Sequence, residues 1–442
     1  MTQAGTTGLI LTGGGARAAY QVGVVSALDQ IAREMGAPTS NPFKVIAGTS
    51  AGAIIAAGLA CHADRYSEGV AKLVDLWSDF SADQVYRADA LGVAQSGARW
   101  LSMFTLGWAI ARWRRARPRS LLDNSPLHEL LHRLIDFDRL PQIMADGHLQ
   151  ALAVTASSYS SGDHVTFYQS ESTITPWTRS HRLSVRTQIT IDHLLASSAI
   201  PFAFPSVRLP LAGQQEWFGD GAMRQSAPIS PAVHMGADKV LVIGAGRMRE
   251  PAERRTVSPG YPSLAQIAGH AMSSIFLDSL AVDVERLERI NRTLALLDDD
   301  ARTRTHLKPI EVLVISPSQR LDDLAAPHLS SLPIAVRSML RAVGVAGKGI
   351  DTRGAAFLSY LLFESGYTRE LIALGQADAM ARRDEVLRFF GWPQSPNPLE
   401  SRPCPEQPTF ARPSPTDDQL SAPDPATAGV LGQSGLCPAS TL

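Results

Sequence analysis

The stretch VIAGTSAGAI at residues 45–54 decides the predicted fold. A β-branched run leads to Gly48, Ser50 stands between two glycines, and small residues follow Gly52. This order predicts a strand that turns sharply into a helix. In the G-x-S-x-G pattern such a turn exposes the serine oxygen, and the amides at the start of the helix favour negative charge there. Ser50 is therefore a candidate nucleophile, with an ordinary small-residue turn as the alternative.

A glycine-rich loop follows the first predicted strand. Gly13, Gly14 and Gly15 precede Ala16 and Arg17, where a helix is predicted to begin. Three glycines place backbone amides at a helix N-terminus with no side chain in the way, which is typical of a phosphate site or of an oxyanion hole. A dinucleotide site would need an acidic residue at the end of the second strand, and that strand ends without one. The loop is therefore a candidate oxyanion hole for the serine.

Strand-like and helix-like segments alternate through the first 320 residues. This alternation predicts an α/β fold with a mainly parallel central sheet that helices cover on both faces. The main predicted strands are 8–12, 43–47, 150–156, 165–169, 217–219, 239–244 and 310–316. The main predicted helices are 16–35, 51–63 and 263–297.

The composition changes towards the C-terminus. Residues 332–392 have leucines at helical spacing, which predicts mostly helix. Residues 393–442 contain eleven prolines and few apolar residues, which predicts a disordered tail. We therefore expect an α/β domain over 1–320, a helical extension over 321–392 and a tail over 393–442.

The overall composition excludes several classes of function. The chain has 442 residues and a formal net charge of −1, so it lacks the basic field that nucleic-acid binding needs. Its three cysteines have no paired spacing, which argues against a disulfide framework and favours a cytoplasmic location. The N-terminal stretch lacks the basic segment of a signal peptide, and no apolar run of about 18 residues predicts a membrane span. We expect no metal or cofactor, because no metal-binding motif occurs.

The serine needs a group that removes its proton. The histidines that follow it and could serve as the base are His164, His193, His234 and His270. None of these lies in a glycine-bounded loop at the end of a predicted strand. Asp220 does, because it follows a short apolar strand and stands between Gly219 and Gly221. Asp220 is therefore the better candidate base, with an ordinary Asp-Gly turn as the alternative.

A carboxylate has a reference pKa near 4, so it is a weak base unless its surroundings raise that pKa. Burial in an apolar site disfavours the charged form and has this effect. We expect burial beside Phe202, Phe204 or Trp217 to raise the pKa of Asp220.

Four segments, in their order along the chain, resemble the patatin-like phospholipase family. They are GGGAR at 13–17, GTSAG at 48–52, LLASSAIPFAFP at 194–205 and DGA at 220–222. The resemblance covers roughly residues 8–245, and the order of four motifs is far more specific than any one of them.

The resemblance implies a three-layer α/β/α fold and a serine acyl hydrolase that cleaves fatty-acyl esters of lipids or phospholipids. Ser50 would be the nucleophile and Asp220 its base. The oxyanion hole would come from residues 13–17, chiefly from the amides of residues 14–16. Ala222 stands where the family usually has glycine.

Two other functions stay open at this stage. An α/β-hydrolase esterase would use a Ser-His-Asp triad, and a lipid-binding protein would keep the fold without turnover. Residues 99–119 combine three tryptophans with a cluster of arginines. This pattern is typical either of a helix that docks on a membrane or of a core helix with a basic end. We expect a lipid ester as substrate and contact with the inner membrane surface through 99–119, and we make no prediction of the oligomeric state.

Overall fold

The computed structural model describes residues 5–38, 40–87, 120–248, 261–305, 307–342, 344–345 and 354–394. The predicted docking segment 99–119 and the predicted tail from residue 395 onwards lie outside these ranges. Residues Met1–Asn397 form one compact unit. The boundary that the sequence predicts at residue 320 stays a prediction.

The strands of the described residues join in a single sheet. They are β1 (Thr7–Leu11), β2 (Val45–Thr49), β3 (Ala151–Ser158), β4 (His164–Ser170), β5 (Thr178–Arg179), β6 (Arg182–Arg186), β7 (Val207–Leu211), β8 (Gln214–Asp220), β9 (Lys239–Ile243) and β10 (Glu311–Ile315). The order is β10-β9-β1-β2-β3-β4-β6-β5, and β8 joins β3 and β7. All pairings from β10 to β3 are parallel, whereas the pairings of β3 with β4 and with β8 are antiparallel. The central sheet is therefore mixed, with a parallel half that carries β1 and β2.

The helices lie between and after these strands. They are α1 (Ala19–Glu34), α2 (Ala51–Ala60), α3 (Tyr66–Ser78), α4 (Ala82–Val85), α5 (Ser125–Leu134), α6 (Leu140–Ala145), α7 (Ile191–Ser197), α8 (Ser230–His234), α9 (Leu264–Ser273), α10 (Ser279–Ala295), α11 (Asp299–Thr305), α12 (Leu321–Ala325), α13 (Ile334–Ala342), α14 (Ala355–Leu361), α15 (Ser365–Ala381) and α16 (Arg383–Phe390). Short 3-10 turns at Gly15–Ala18 and Gly221–Arg224 and a π-helical turn at Ser274–Asp278 adjoin the site described below.

Alternating side chains of the central strands build two hydrophobic layers. Leu9 and Leu11 of β1 belong to a core cluster that includes α1, α2 and α15. Ile10, between them, belongs to a second cluster with residues of α8 and α10. Because successive side chains of a strand point to opposite faces, both faces of the sheet are buried under helices. This arrangement confirms the predicted three-layer α/β/α fold with further helices at its C-terminal end.

The long predicted helix at 263–297 is divided by the π-helical turn into α9 and α10. The run Leu264–Ala295 is long and apolar enough to cross a membrane by length and composition, with a mean hydropathy of 1.2 in its best window. Its side chains Met272, Phe276, Leu280 and Val284 are buried in the protein core. Because core helices pass the same test of length and composition, this helix by itself is weak support for a membrane span.

Candidate active site

Ser50 stands at the turn between β2 and α2. Its backbone has φ 56° and ψ −132°, a conformation that non-glycine residues rarely adopt and that holds the nucleophile of such a turn in place. A Cβ on Gly48 would lie 2.5 Å from the Cα of Ala53, and one on Gly52 would lie 2.5 Å from the carbonyl oxygen of Leu11. The two glycines therefore let the helix pack directly on the strands at this turn.

The register of the sheet brings Asp220 to Ser50. β2 pairs with β3 as far as Thr155 and ends there, because the chain turns into α2. β8 pairs with the same edge of β3 from Ala156 onwards, with Asp220 opposite Ala156. The ends of β2 and β8 therefore meet on one edge of β3, although Ser50 and Asp220 are 170 residues apart in sequence.

The two side chains form a buried dyad. The Ser50 hydroxyl donates to Oδ2 of Asp220 at 2.6 Å. The backbone amide of Ala222 donates to Oδ1 at 2.9 Å, so both carboxylate oxygens have a donor. Ser50 is 1% exposed and Asp220 is fully buried. A hydroxyl held on a carboxylate in this way is the arrangement that nucleophilic catalysis requires.

The environment of Asp220 makes it a stronger base than an ordinary aspartate. Burial raises its pKa from 3.8 to about 7, while the hydrogen bonds from Ser50 and from the Ala222 amide act in the opposite direction. Desolvation dominates because the charged carboxylate loses water that two donors do not fully replace. A pKa near neutrality lets the same group accept and return a proton during turnover.

The glycine loop lies directly against the dyad. A Cβ on Gly13 would be 3.1 Å from the Cβ of Ser50. The 3-10 turn begins at Gly15, and the first amides of a helical turn have no acceptor within it. The amides of Gly15 and Ala16 are therefore available at the edge of the site, as an oxyanion hole requires.

A family model described as patatin-like phospholipase matches residues 9–233. The chain belongs to the patatin-like phospholipase family. Membership supports a lipid acyl hydrolase as the broad class of activity, and the matched residues include the glycine loop, Ser50 and Asp220.

A comparison with solved structures finds similarity to a human protein and to a bacterial protein, among others. Human GIVD cytosolic phospholipase A2 is 11% identical, with a TM-score of 0.44, over 88% of this patatin-like chain and 62% of its own. VipD from Legionella pneumophila is 13% identical, with a TM-score of 0.31, over 84% of this chain and 67% of its own. The patatin-like chain thus spans less than two thirds of the human enzyme. No curated protein matches it.

Arg17 of the patatin-like chain is held by the C-terminal helices. Its backbone amide donates to the carbonyl of Gly14 at 3.1 Å. Its guanidinium pairs with the carboxylate of Asp322, donates to Ser359 Oγ at 2.8 Å and lies 4.0 Å from the ring centre of Tyr360. These partners bind Nε and Nη2 of the guanidinium and hold it against the C-terminal helices, so the predicted place of Arg17 in the oxyanion hole rests on the sequence pattern alone.

The same helices also pack against the outer side of the glycine loop. A Cβ on Gly15, whose φ is 55°, would lie 2.3 Å from the carbonyl oxygen of Tyr360. The Tyr360 ring also stacks on Phe276, at 5.0 Å between centroids, and Phe276 covers Gly13. The loop is therefore enclosed between the dyad and α14.

Three of the four candidate histidines, His164, His193 and His234, lie in other environments. His164 and His193 are buried, and burial lowers the pKa of each to about 4, so both are neutral. His193 Nδ1 accepts the amide of Thr190 at the start of α7, and His234 stacks on Trp177 with ring centroids 4.6 Å apart. The acceptor of the Ser50 hydroxyl is Asp220 and not one of these rings.

Three further residues support the dyad. The Ser50 amide donates to Ser197 Oγ at 2.8 Å. The side-chain amide of Gln225 donates to Thr49 Oγ1 at 2.8 Å, and that hydroxyl lies 2.7 Å from Thr155 Oγ1. Ser197 belongs to the motif at 194–205, whereas no sequence signal marks Gln225 or Thr155.

An apolar pocket adjoins the nucleophile. Ser50 and Gly15 form part of its wall. The remaining lining is almost wholly apolar and includes Ile54, Trp77, Leu130, Phe204 and Phe363. Its cavity volume is about 30 Å³, so an acyl chain must displace some of these side chains to enter. Among the described residues, no group of three or more metal-ligating side chains is present.

Proposed function

We propose that this protein is a serine hydrolase that cleaves fatty-acyl esters of lipids through a Ser50–Asp220 dyad and an acyl-enzyme intermediate. The observation that carries the proposal is the 2.6 Å hydrogen bond from the Ser50 hydroxyl to a buried carboxylate beside an apolar pocket. Family membership supports the same class of reaction.

The reaction needs one proton acceptor at each stage. Asp220 accepts the Ser50 proton as Oγ attacks the ester carbonyl, and it returns that proton to the departing alcohol. Water then attacks the acyl-enzyme and gives a proton to Asp220, which passes it to Ser50 Oγ as the fatty acid leaves, so that the hydroxyl and the carboxylate are both regenerated. A carboxyl group with a pKa of about 7 can take both roles near neutral pH.

The oxyanion of each tetrahedral intermediate would be bound by the amides of residues 14–16. Their place at the start of a helical turn, next to Ser50, supports this assignment. Donors fixed in advance need no reorganisation during the reaction, and the removal of one typically costs about 100- to 1000-fold in rate.

The apolar pocket would receive the acyl chain. Leu130, Phe204 and Phe363 offer the substrate a surface without competing polar groups. The cytoplasmic location and the membrane contact through residues 99–119 remain proposals that rest on the sequence.

The decisive experiment combines a fluorophosphonate probe with a lipid hydrolysis panel. We expect labelling at Ser50 and fatty-acid release by the wild-type chain. Ser50→Ala should lose both and keep its thermal unfolding profile, whereas the exposed Ser330→Ala should keep both. Lipid binding without turnover by the wild-type chain would instead identify a non-catalytic lipid-binding protein.

A further inference from the structure

A second cleft opens on the other side of the loop that follows Asp220. Its walls are the β5–β6 turn at residues 180–182, the segment 222–226 that follows Asp220, and the side chains of Ser274, Ile275 and Ser279. The cavity volume is about 460 Å³, which is in the range of small-molecule sites and much larger than the apolar pocket at Ser50.

The charged groups of this cleft are cationic. Arg182 and Arg224 line it together with His181, and the lining contains no carboxylate. Arg224 donates one N–H to the carbonyl of Gly162, and a guanidinium has five, so donors remain for a ligand. Two acidic residues lie behind the lining. Oδ1 of Asp163 is 3.6 Å from Nδ1 of His181, and the buried Asp283 interacts electrostatically with Arg182.

The neutral lining combines hydrogen-bonding groups with the apolar side chains of Ala222, Met223 and Ile275. Hydroxyls of Ser180, Ser226 and Ser279 and the side-chain amide of Gln225 belong to the lining. Guanidinium groups combined with hydroxyls bind phosphate oxygens well, because each oxygen accepts several short charge-assisted hydrogen bonds. Hydroxyls and amides also fit the polyol part of a headgroup.

Residues on both walls of the cleft are connected to the dyad through hydrogen bonds or through the residue next to them in sequence. Ala222 lines the cleft, and its amide holds Oδ1 of Asp220. Gln225 lines the cleft and bonds Thr49, the residue before Ser50. On the opposite wall, Ile275 precedes Phe276, which covers Gly13 beside Ser50. The reacting groups therefore lie between an apolar pocket and a cationic cleft.

We propose that this cleft, the headgroup cleft, binds the phosphate and hydroxyl groups of an anionic glycerophospholipid whose acyl ester lies at Ser50. The inference rests on the proposed hydrolase function and adds the class of substrate. An amphiphile with one apolar and one anionic end matches the two sides of the dyad. A zwitterionic headgroup fits less well, because its ammonium group would face two guanidinium groups with no lining carboxylate to pair with it.

Hydrolysis of matched lipids tests the proposal. Short-chain phosphatidylglycerol and phosphatidylcholine with the same acyl groups are compared with the neutral soluble ester p-nitrophenyl butyrate. We expect the wild-type chain to prefer phosphatidylglycerol. Arg182→Gln and Arg224→Gln should each lower kcat/KM for that lipid about tenfold, the loss typical of one charge-assisted contact, and leave p-nitrophenyl butyrate unchanged. Arg289→Gln, an exposed arginine farther along α10, is the charge-matched control and should change nothing.

Binding to the full-length Ser50→Ala chain separates this inference from the hydrolase itself. Calorimetric titration with phosphatidylglycerol should give a Kd that Arg182→Gln raises about tenfold, even if no ester is ever hydrolysed. Equal hydrolysis of both lipids, equal losses on all three substrates, or an equal loss in Arg289→Gln would overturn the proposal. Tight binding of inorganic phosphate that phosphatidylglycerol does not displace would also overturn it, since the cleft would then be a site for a soluble anion.

Discussion

At the scale of single residues, the function depends on how one carboxylate is surrounded. Asp220 is fully buried, accepts a hydroxyl and one backbone amide, and forms no ion pair with any residue that the structure describes. Its pKa therefore rises to about 7 through loss of water rather than through a neighbouring acid. The sequence led us to expect desolvation by Phe202, Phe204 or Trp217. Of these only Phe204 is buried, whereas Phe202 and Trp217 are 74% and 42% exposed; Asp220 itself pairs with Ala156 of β3 and is hydrogen-bonded to Ser50.

The first prediction concerns the pH dependence of catalysis. Protonated Asp220 cannot accept the Ser50 proton, so kcat/KM for a soluble ester should rise with pH and level off above an apparent pKa of about 7. A pH–rate profile over the stable range of the protein measures this value. A midpoint near 4, the reference value of a carboxyl group, would contradict the assignment of Asp220 as a desolvated base.

The second prediction links the base to stability. Because the pKa of Asp220 is raised in the folded state, the folded protein binds this proton more tightly than the unfolded chain does. Stability from this group is therefore present at acid pH and is lost as the pH rises from about 4 to about 7. Asp220→Asn should lower kcat about 100- to 10,000-fold and raise Tm relative to wild type at about pH 8.

The same variant provides its own control at acid pH. At about pH 4 the wild-type carboxyl is neutral in the folded state, so the two proteins should unfold at similar temperatures. Differential scanning calorimetry at both pH values gives the comparison. If the variant is instead less stable than wild type at about pH 8, the hydrogen bonds of the carboxylate stabilise the folded state by more than the burial of its charge destabilises it.

At the scale of elements, helices from the two ends of the chain meet at the glycine loop. α1 and α15 cross closely, since a Cβ on Gly23 would lie 2.1 Å from the carbonyl oxygen of Ile372 and one on Gly375 would lie 2.2 Å from that of Tyr20. Arg17, just before α1, joins Asp322 of α12 and Tyr360 of α14. The C-terminal helices thus help to fix the turn that carries the proposed oxyanion-hole amides.

The third prediction tests this link. Asp322→Asn removes the charge partner of a buried guanidinium, and breaking a buried ion pair in this way typically costs about 3–5 kcal/mol. We expect a lower Tm and a kcat about tenfold lower for a soluble ester, with KM nearly unchanged, because the loop shifts relative to the transition state. Asp322→Glu should restore part of kcat. The neighbouring Asp323→Asn is the matched control, and an equal loss of kcat in that variant would contradict a specific role for Asp322.

At the scale of the whole molecule, the residues after 320 complete the main core. Tyr367, Leu371 and Leu374 of α15 and Val386 of α16 are buried in the same cluster as α1 and α2. Burial of one large apolar side chain is worth roughly 1.5–3 kcal/mol, so removal of several exceeds the usual stability of a domain.

The fourth prediction follows for truncated chains. A chain that ends at residue 320 should be unfolded or aggregated, because the removal of α15 uncovers α1. A chain that ends at residue 397, the limit of the compact unit, should keep the wild-type Tm and esterase activity. Circular dichroism and p-nitrophenyl butyrate hydrolysis compare the two. A folded, active chain of 320 residues would show that the C-terminal helices are a separate domain.

Local patterns in the sequence were enough to predict the α/β class, most central strands and the two candidate reacting residues. Gly48, Ser50 and Gly52 determine their own turn through local geometry, so neighbouring residues suffice to predict it. The short strands β5, β6 and β7 escaped prediction, because β5 has only two residues, β6 begins and ends on arginine, and a proline interrupts β7. The π-helical turn escaped prediction because its residues have ordinary helical periodicity.

The sequence by itself determined the chemical groups of this protein: a serine at a strained turn, a loop of amides and a carboxylate at the end of a strand. Only the tertiary structure decided what these groups can do. The shared edge of β3 brings Ser50 to Asp220, burial changes the pKa of the carboxylate, and the folded surfaces place an apolar pocket and a cationic cleft on either side of the dyad. Local sequence fixes backbone geometry over a few residues, whereas distance, burial and electric field depend on every segment that packs around a site.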